Sequence, residues 1–150
     1  MSNLTKDGYW TLKVVVKYYQ IMIKEKGAPT YIADPRAGFS GVGYWENFRV
    51  ADETESFKLT IGRQIRADNM DERDPLTQDG RSFSTKDRDN DQSRSNCADD
   101  YNSGWWYDNC FKVCLNCEGK TIRQRKVPNW YDGKNILLLS ESAMWIKRNE

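Results

Sequence analysis

The sequence predicts an antiparallel β-sheet formed by its first half and an irregular, loop-rich second half that packs beside it. Three observations carry this prediction. Apolar and polar residues alternate at 12–16 and again within 48–61. The chain changes character across residues 63–94, where 15 of 32 residues are charged, 8 acidic and 7 basic. All four cysteines then fall in one stretch, interleaved with Tyr101, Trp105, Trp106 and Tyr107.

Leu12, Val14 and Val16 alternate with Lys13, Val15 and Lys17, the period of a half-buried strand. A second apolar alternation runs from Tyr18 to Ile23 and ends at the charged turn 24–27, which gives one long strand or a hairpin. Pro29, Pro35, Gly38 and Gly41 make 27–43 read as a long surface loop. Phe48 and Val50, then Phe57, Leu59 and Ile61 alternating with Lys58 and Thr60, predict two further strands about the acidic turn 51–55. An antiparallel meander is the economical arrangement. Within 63–94 the apolar residues shrink to Ile65, Met70, Leu76, Phe83 and alanine, the pattern of loop. No internal repeat or low-complexity tract interrupts the 150 residues, a length for one domain that buries roughly two thirds of its unfolded surface.

Composition removes several function classes. With 23 basic and 22 acidic side chains, the chain lacks the cationic surplus of a dedicated nucleic-acid binder. It contains no histidine, which excludes the usual serine and cysteine hydrolase triads and removes the commonest general base and zinc ligand. The longest apolar run, 14–23, is broken by Lys17 and Gln20 and reaches half of the ~20 residues that a membrane span needs, so no span is expected. Residues 1–7 show no basic segment leading into an apolar one, so no signal peptide is read there.

Chemistry-bearing residues concentrate in the second half. Asp87, Asp89 and Asp91 stand at alternate positions, where three carboxylates repel unless a hard cation takes their charge; calcium and a solvated acidic loop are both open readings. The EF-hand spacing fails, since loop position six would be Gln92 and position twelve Ala98. Cys97, Cys110, Cys114 and Cys117 follow a C-x12-C-x3-C-x2-C pattern, open to disulfides, zinc or reduced thiols. Among the aromatics, Trp105 and Trp106 read as core. Tyr101, Phe111, Trp130 and Tyr131 divide between core and a concave sugar or acetyl pocket. Asn3-Leu4-Thr5 is a glycosylation sequon.

The run 83–91, followed by Asn96-Cys97-Ala98, Gly104-Trp105-Trp106-Tyr107 and Asn109-Cys110, resembles the fibrinogen C-terminal (fibrinogen-related) domain family, in the manner of the ficolins and tachylectins. Tyr9, Leu12, Val14 and Val16, then Tyr44, 47–50, Glu53, Phe57, Leu59 and Gly62, resemble its central strands, and Met144-Trp145-Ile146-Lys147 its closing strand. The resemblance implies an α+β fold: a twisted, mainly antiparallel sheet over about 1–80, and a loop-rich calcium-binding lobe with the closing strand over about 81–150. It implies a single domain without the family's N-terminal subdomain, leaving a strand edge uncovered and open to oligomerisation.

By position, the resemblance implies calcium at the carboxylates of Asp89 and Asp91 and the main-chain oxygens of Ser93 and Ser95, with Asp87 a neighbour, and a Cys97–Cys110 disulfide. The implied ligand pocket takes Tyr101, Asn109, Cys110, Phe111, Trp130 and Tyr131. Phe111 stands where the family has histidine, so it can stack on a methyl group but offers no imidazole hydrogen bond. Cys114 and Cys117 stand where the family carries small polar residues, and are expected to pair under strain or bridge to another chain. The implied function is recognition without catalysis: a secreted, calcium-binding lectin of innate-immune type for acetylated or modified glycans, acting as a homo-oligomer. A protein-interaction module of angiopoietin, tenascin or fibrinogen type, reading an extracellular or cell-surface protein, and a structural assembly component are the alternatives.

Overall fold

The computed structural model describes residues 8–23, 30–70, 76–118, 128–131 and 135–149. The predicted turn 24–27 and the sequon 3–5 lie outside them. Strands run β1 Trp10–Ile23, β2 Thr30–Ala33, β3 Ser40–Val50, β4 Leu59–Thr60, β5 Gln64–Asp68, β6 Val113–Cys114, β7 Asn129–Tyr131 and β8 Ile136–Arg148, with one short helix, α1, at Cys97–Asp100. They form a mainly antiparallel sheet in the order β4-β3-β1-β8-β7-β6, with β2 paired to β1 and β5 to β3.

β1 sits at the centre because both its edges are used. One pairs with β3 and β2, the other with β8 from Trp10↔Arg148 to Met22↔Ile136. Its period-two alternation sends Leu12, Val14, Val16 and Tyr18 into the core, each 1 % exposed or less. Register shifts at Lys17/Tyr18 and Tyr18/Gln20 bend the far end, where Met22 joins Ile136 and Leu138 in a second, small apolar cluster. The 136–139 run of β8 is therefore buried on both faces. Leu137 and Leu139 go to the main core, and Ile136 and Leu138 to the small cluster.

Three local expectations change. The loop read at 27–43 contains β2 and the start of β3. Gly41 and Gly43 do not break β3: a Cβ on Gly41 would meet the Asn69 carbonyl at 2.9 Å and the Tyr18 ring, and one on Gly43 would meet the Trp45 indole. Bare backbone there makes room for the two largest inward rings. Phe57 is not in a strand, because residues 53–55 form a 3-10 turn and Ser56 and Phe57 both take left-handed backbone, φ 53° and 51°. Only Leu59–Thr60 of that predicted strand pairs. Finally, β5 lies inside the segment read as loop.

The second half completes the core. Trp105, Trp106, Tyr107, Val113, Cys114 and Leu115 are buried in the same cluster as the inward face of the sheet. The Trp105 Nε1–H donates to the Val113 carbonyl at 2.9 Å and the Trp106 Nε1–H to that of Phe57 at 2.8 Å, so each indole spends its polar handle inside. Trp130 on β7 meets Trp45 on β3 with ring centroids 6.0 Å apart. Replacing the buried Trp130 with alanine is expected to cost about 3–5 kcal/mol in urea unfolding. The same change at Trp145, 62 % exposed, should stay within about 0.5 kcal/mol.

Candidate functional site

The segment between Ser84 and Cys97 is held by its own polar groups. Ser84 and Trp105 form an antiparallel bridge, and Thr85 and Arg88 close a turn. The Asn90 side chain donates to the Phe83 carbonyl at 2.8 Å, and its N–H donates to Ser84 Oγ at 2.9 Å. Asp87 accepts the Thr85 hydroxyl at 2.8 Å, and that bond is the chief reason its pKa is lowered.

Asp89 and Asp91 are differently placed. Asp89 Oδ1 accepts the Asp91 N–H at 3.1 Å, while Asp91 accepts Ser93 N–H at 2.8 Å on one oxygen and Cys97 N–H at 2.9 Å on the other. Burial raises the pKa of Asp91, and the neighbouring Asp89 carboxyl adds to the rise against the two N–H donors. Each carboxylate oxygen keeps lone pairs beyond these bonds, so the pair offers hard acceptors whose mutual repulsion a cation relieves. Among the described residues no three carboxylate, cysteine or histidine side chains converge, so an ion here would need main-chain oxygens such as those of Ser93 and Ser95.

The Asp91-to-Cys97 bond leads directly to the aromatic side. Asn96 caps α1 through the Asp99 N–H at 3.1 Å, and Cys97 is bonded to Cys110 with the Cα atoms 5.5 Å apart. Gln92 N–H also donates to the Asp108 carbonyl at 3.0 Å, tying the carboxylate loop to the segment that carries Asn109, Cys110 and Phe111. Phe111 lies edge-on to Tyr101 at 4.6 Å and 6.1 Å from Tyr107. Tyr107 is buried, which pushes its phenol up to about 12; it stays protonated and hydrogen-bonds Ser103 Oγ at 2.8 Å.

Four corrections follow for the predicted site. Trp130 is 1 % exposed and faces Trp45, so its ring belongs to the core. Tyr131, the next residue on β7, faces the opposite side and packs against Met22, Ile136 and Leu138, because consecutive strand residues alternate. The four-ring pocket is thus reduced to Tyr101 and Phe111, with Asn109 and Cys110 beside them. Cys114 and Cys117 bridge each other, Cα atoms 5.5 Å apart, and no cysteine is free for zinc or another chain. A bend at Leu115–Asn116, held by Asn116 Nδ2 donating to the Gly104 carbonyl at 2.9 Å, brings them together.

The structure also adds a wall that sequence reading missed. Thr77 and Gln78, in a segment read as loop, line a small cavity with Asp108, Asn109, Phe111 and Lys112. No spacing or motif marks them, since they reach the site through the turn 78–81 rather than along a periodic element.

The family described as "Fibrinogen beta and gamma chains, C-terminal globular domain" matches residues 34–148. The chain belongs to this family. Among curated fibrinogen-family relatives, Ryncolin-4 of Cerberus rynchops is 44 % identical over 94 residues, covering 60 % of this chain and 26 % of the relative. Tenascin-R of Gallus gallus is 42 % identical over 92 residues, covering 61 % of this chain and 6 % of the relative. The chain therefore spans about a quarter or less of these relatives. The fibrinogen-like globe domain of human ANGPTL2 superimposes with a TM-score of 0.74 at 25 % identity, covering 98 % of this chain and 62 % of that one. The likeness extends over the sheet and the cysteine-bearing segment alike, so the mainly antiparallel sheet with its loop-rich second half is the fibrinogen-like fold.

A carboxyl whose pKa is raised in the fold contributes stability below its unfolded pKa and loses it as pH rises through the folded value. In EDTA, the wild type should therefore lose stability relative to Asp91→Asn as pH rises from below 3.8 through the range just above it. Thermal melts across that range check this; a constant difference between the two proteins contradicts it.

Proposed function

We propose that the chain is a calcium-dependent recognition module of secreted type, a lectin-like binder of acetylated or otherwise modified glycans at the surface around Tyr101 and Phe111, and not an enzyme. The observation that carries this reading is the unbroken linkage from Asp91, through the Cys97 N–H and the Cys97–Cys110 bridge, to Phe111. Fibrinogen-family membership supports an interaction module. Two disulfides fit an oxidising compartment, and among the described residues no helix is long and apolar enough to cross a membrane.

In this mechanism calcium takes Asp89 and Asp91 with the main-chain oxygens of Ser93 and Ser95, and neutralises the carboxylate pair. Asp91 then holds the start of α1, whose Cys97 carbonyl accepts the Tyr101 N–H at 2.9 Å. The Glu118 N–H donates to the Tyr101 carbonyl at 2.8 Å from the other side. A shallow pocket preformed in this way costs little ordering on binding, and a homo-oligomer would raise its weak single-site affinity.

A protein-interaction role is the second reading, favoured by the outer face of the sheet. Arg66, Tyr44, Lys13 and Trp145 stand in one cross-strand row over β5, β3, β1 and β8, alternating cation and aromatic. Lys13 and Arg66 both lie over the Tyr44 ring, at 5.9 and 5.6 Å. An open groove of about 620 Å³ runs past Lys13, Tyr44, Trp145 and Lys147.

Retention on an N-acetylated resin in calcium, against a non-acetylated control, tests the first reading. Retention should vanish in EDTA and in the Asp89→Asn/Asp91→Asn double variant. Calcium at about a hundred times its Kd should raise the wild-type melting temperature by roughly 5–10 °C and leave the variant unmoved. A folded protein that ignores the resin, with free glycans that never compete for an extracellular protein partner, would favour the outer face instead.

A further inference from the structure

The cavity lined by Thr77, Gln78, Asp108, Asn109, Phe111 and Lys112 measures about 120 Å³, far below the roughly 300–1,000 Å³ of sites that enclose a drug-sized ligand. It has room for one chemical group. Gln78 is 3 % exposed, which is uncommon for glutamine and calls for both ends of its carboxamide to be bonded. One end is: Nε2 donates to the Val113 carbonyl at 3.0 Å. That carbonyl also accepts the Trp105 indole at 2.9 Å, so the amide is fixed with its nitrogen toward β6. The other end is not. Gln78 Oε1 is out of solvent and accepts no hydrogen bond among the described residues.

An unmade buried acceptor on the wall of a group-sized cavity selects what enters. The group must carry a donor for Oε1. An ammonium fits poorly, because the one acid of the wall, Asp108, already faces Arg81 Nη2 at 3.5 Å and Lys112 adds a second cation. The Phe111 ring asks for an apolar contact. A secondary amide with a methyl end meets all three conditions: an N–H donor, no charge and an apolar face.

We infer that Gln78 is a specificity-determining residue whose Oε1 accepts the N–H of a ligand acetamido group, with the methyl of that group against Phe111. The assignment rests on the glycan-binding reading above and narrows it from acetylated ligands in general to N-acetyl ones. An O-acetyl ester presents the same methyl and carbonyl without the N–H, so it leaves Gln78 Oε1 unpaired.

The test titrates the oxidatively folded chain, in calcium, with the methyl glycoside of N-acetylglucosamine and with the methyl glucoside acetylated on oxygen at the same carbon. The wild type should bind the amide roughly tenfold more tightly than the ester. Gln78→Met, close in volume but without the acceptor, should weaken the amide to the level of the ester and leave the ester unchanged. Equal wild-type affinities, or a preference that survives in Gln78→Met, overturn the assignment while the glycan reading stands. Binding of neither glycoside overturns both. The wild-type comparison needs no substitution and decides the N–H requirement even if the variant fails to fold.

Discussion

The structure depends on the pairing of its first strand with its last. β1 and β8 are joined over Trp10–Met22 and Ile136–Arg148, and between them they hold every other strand: β3 and β2 hang on β1, β7 and through it β6 on β8. Closing a chain of that separation costs about 4 kcal/mol by the logarithmic length dependence. Burial of Leu12, Val14 and Val16 on the inner face of β1 contributes roughly 5–9 kcal/mol, enough to offset it. A sheet whose central pair is its most distant in sequence completes late, so slow folding is built into the topology.

The cysteine-bearing segment inherits its position from that pair. Residues 84–118 contain only α1 and the two residues of β6 as regular structure, so periodic backbone pairing cannot fix them. They are fixed instead by buried indoles that spend their N–H groups on Val113 and Phe57, by Ser142 Oγ of β8 donating to the Leu115 carbonyl at 2.5 Å, and by two disulfides. The bridges act on different scales. Cys97–Cys110 closes 13 residues of separation, for about 3 kcal/mol of chain entropy, and Cys114–Cys117 closes 3, for about 2 kcal/mol. The longer bridge sets the relation of carboxylates to aromatics, and the shorter one sets a single bend.

How far the sequence could be read follows from which forces act locally. The inner face of β1 was legible because a half-buried strand writes its burial as alternation. The 136–139 run of β8 was not, since burial on two faces erases that alternation. Glycines hid the start of β3: Gly41 and Gly43 read as breakers, and only the rings of Tyr18 and Trp45, distant in sequence or folded back, explain them. In the site, the resemblance singled out Asp89, Asp91, Cys97, Cys110, Tyr101 and Phe111, since each sits in a dense local motif. It over-extended to Trp130 and Tyr131, whose directions depend on the pairing of β7 with β8. Gln78 carries no local signal at all, because its burial and its bond to Val113 exist only in the folded chain.

Native-state hydrogen exchange at low denaturant tests most directly the claim that the β1–β8 pair holds the rest in place. Amides of β1, of β8 and of the Cys97–Cys117 segment should exchange with one shared opening free energy, equal to that of global unfolding. A segment that keeps its protection while β1 and β8 have opened would contradict the account, and would mean that the disulfides and indoles form an independent unit.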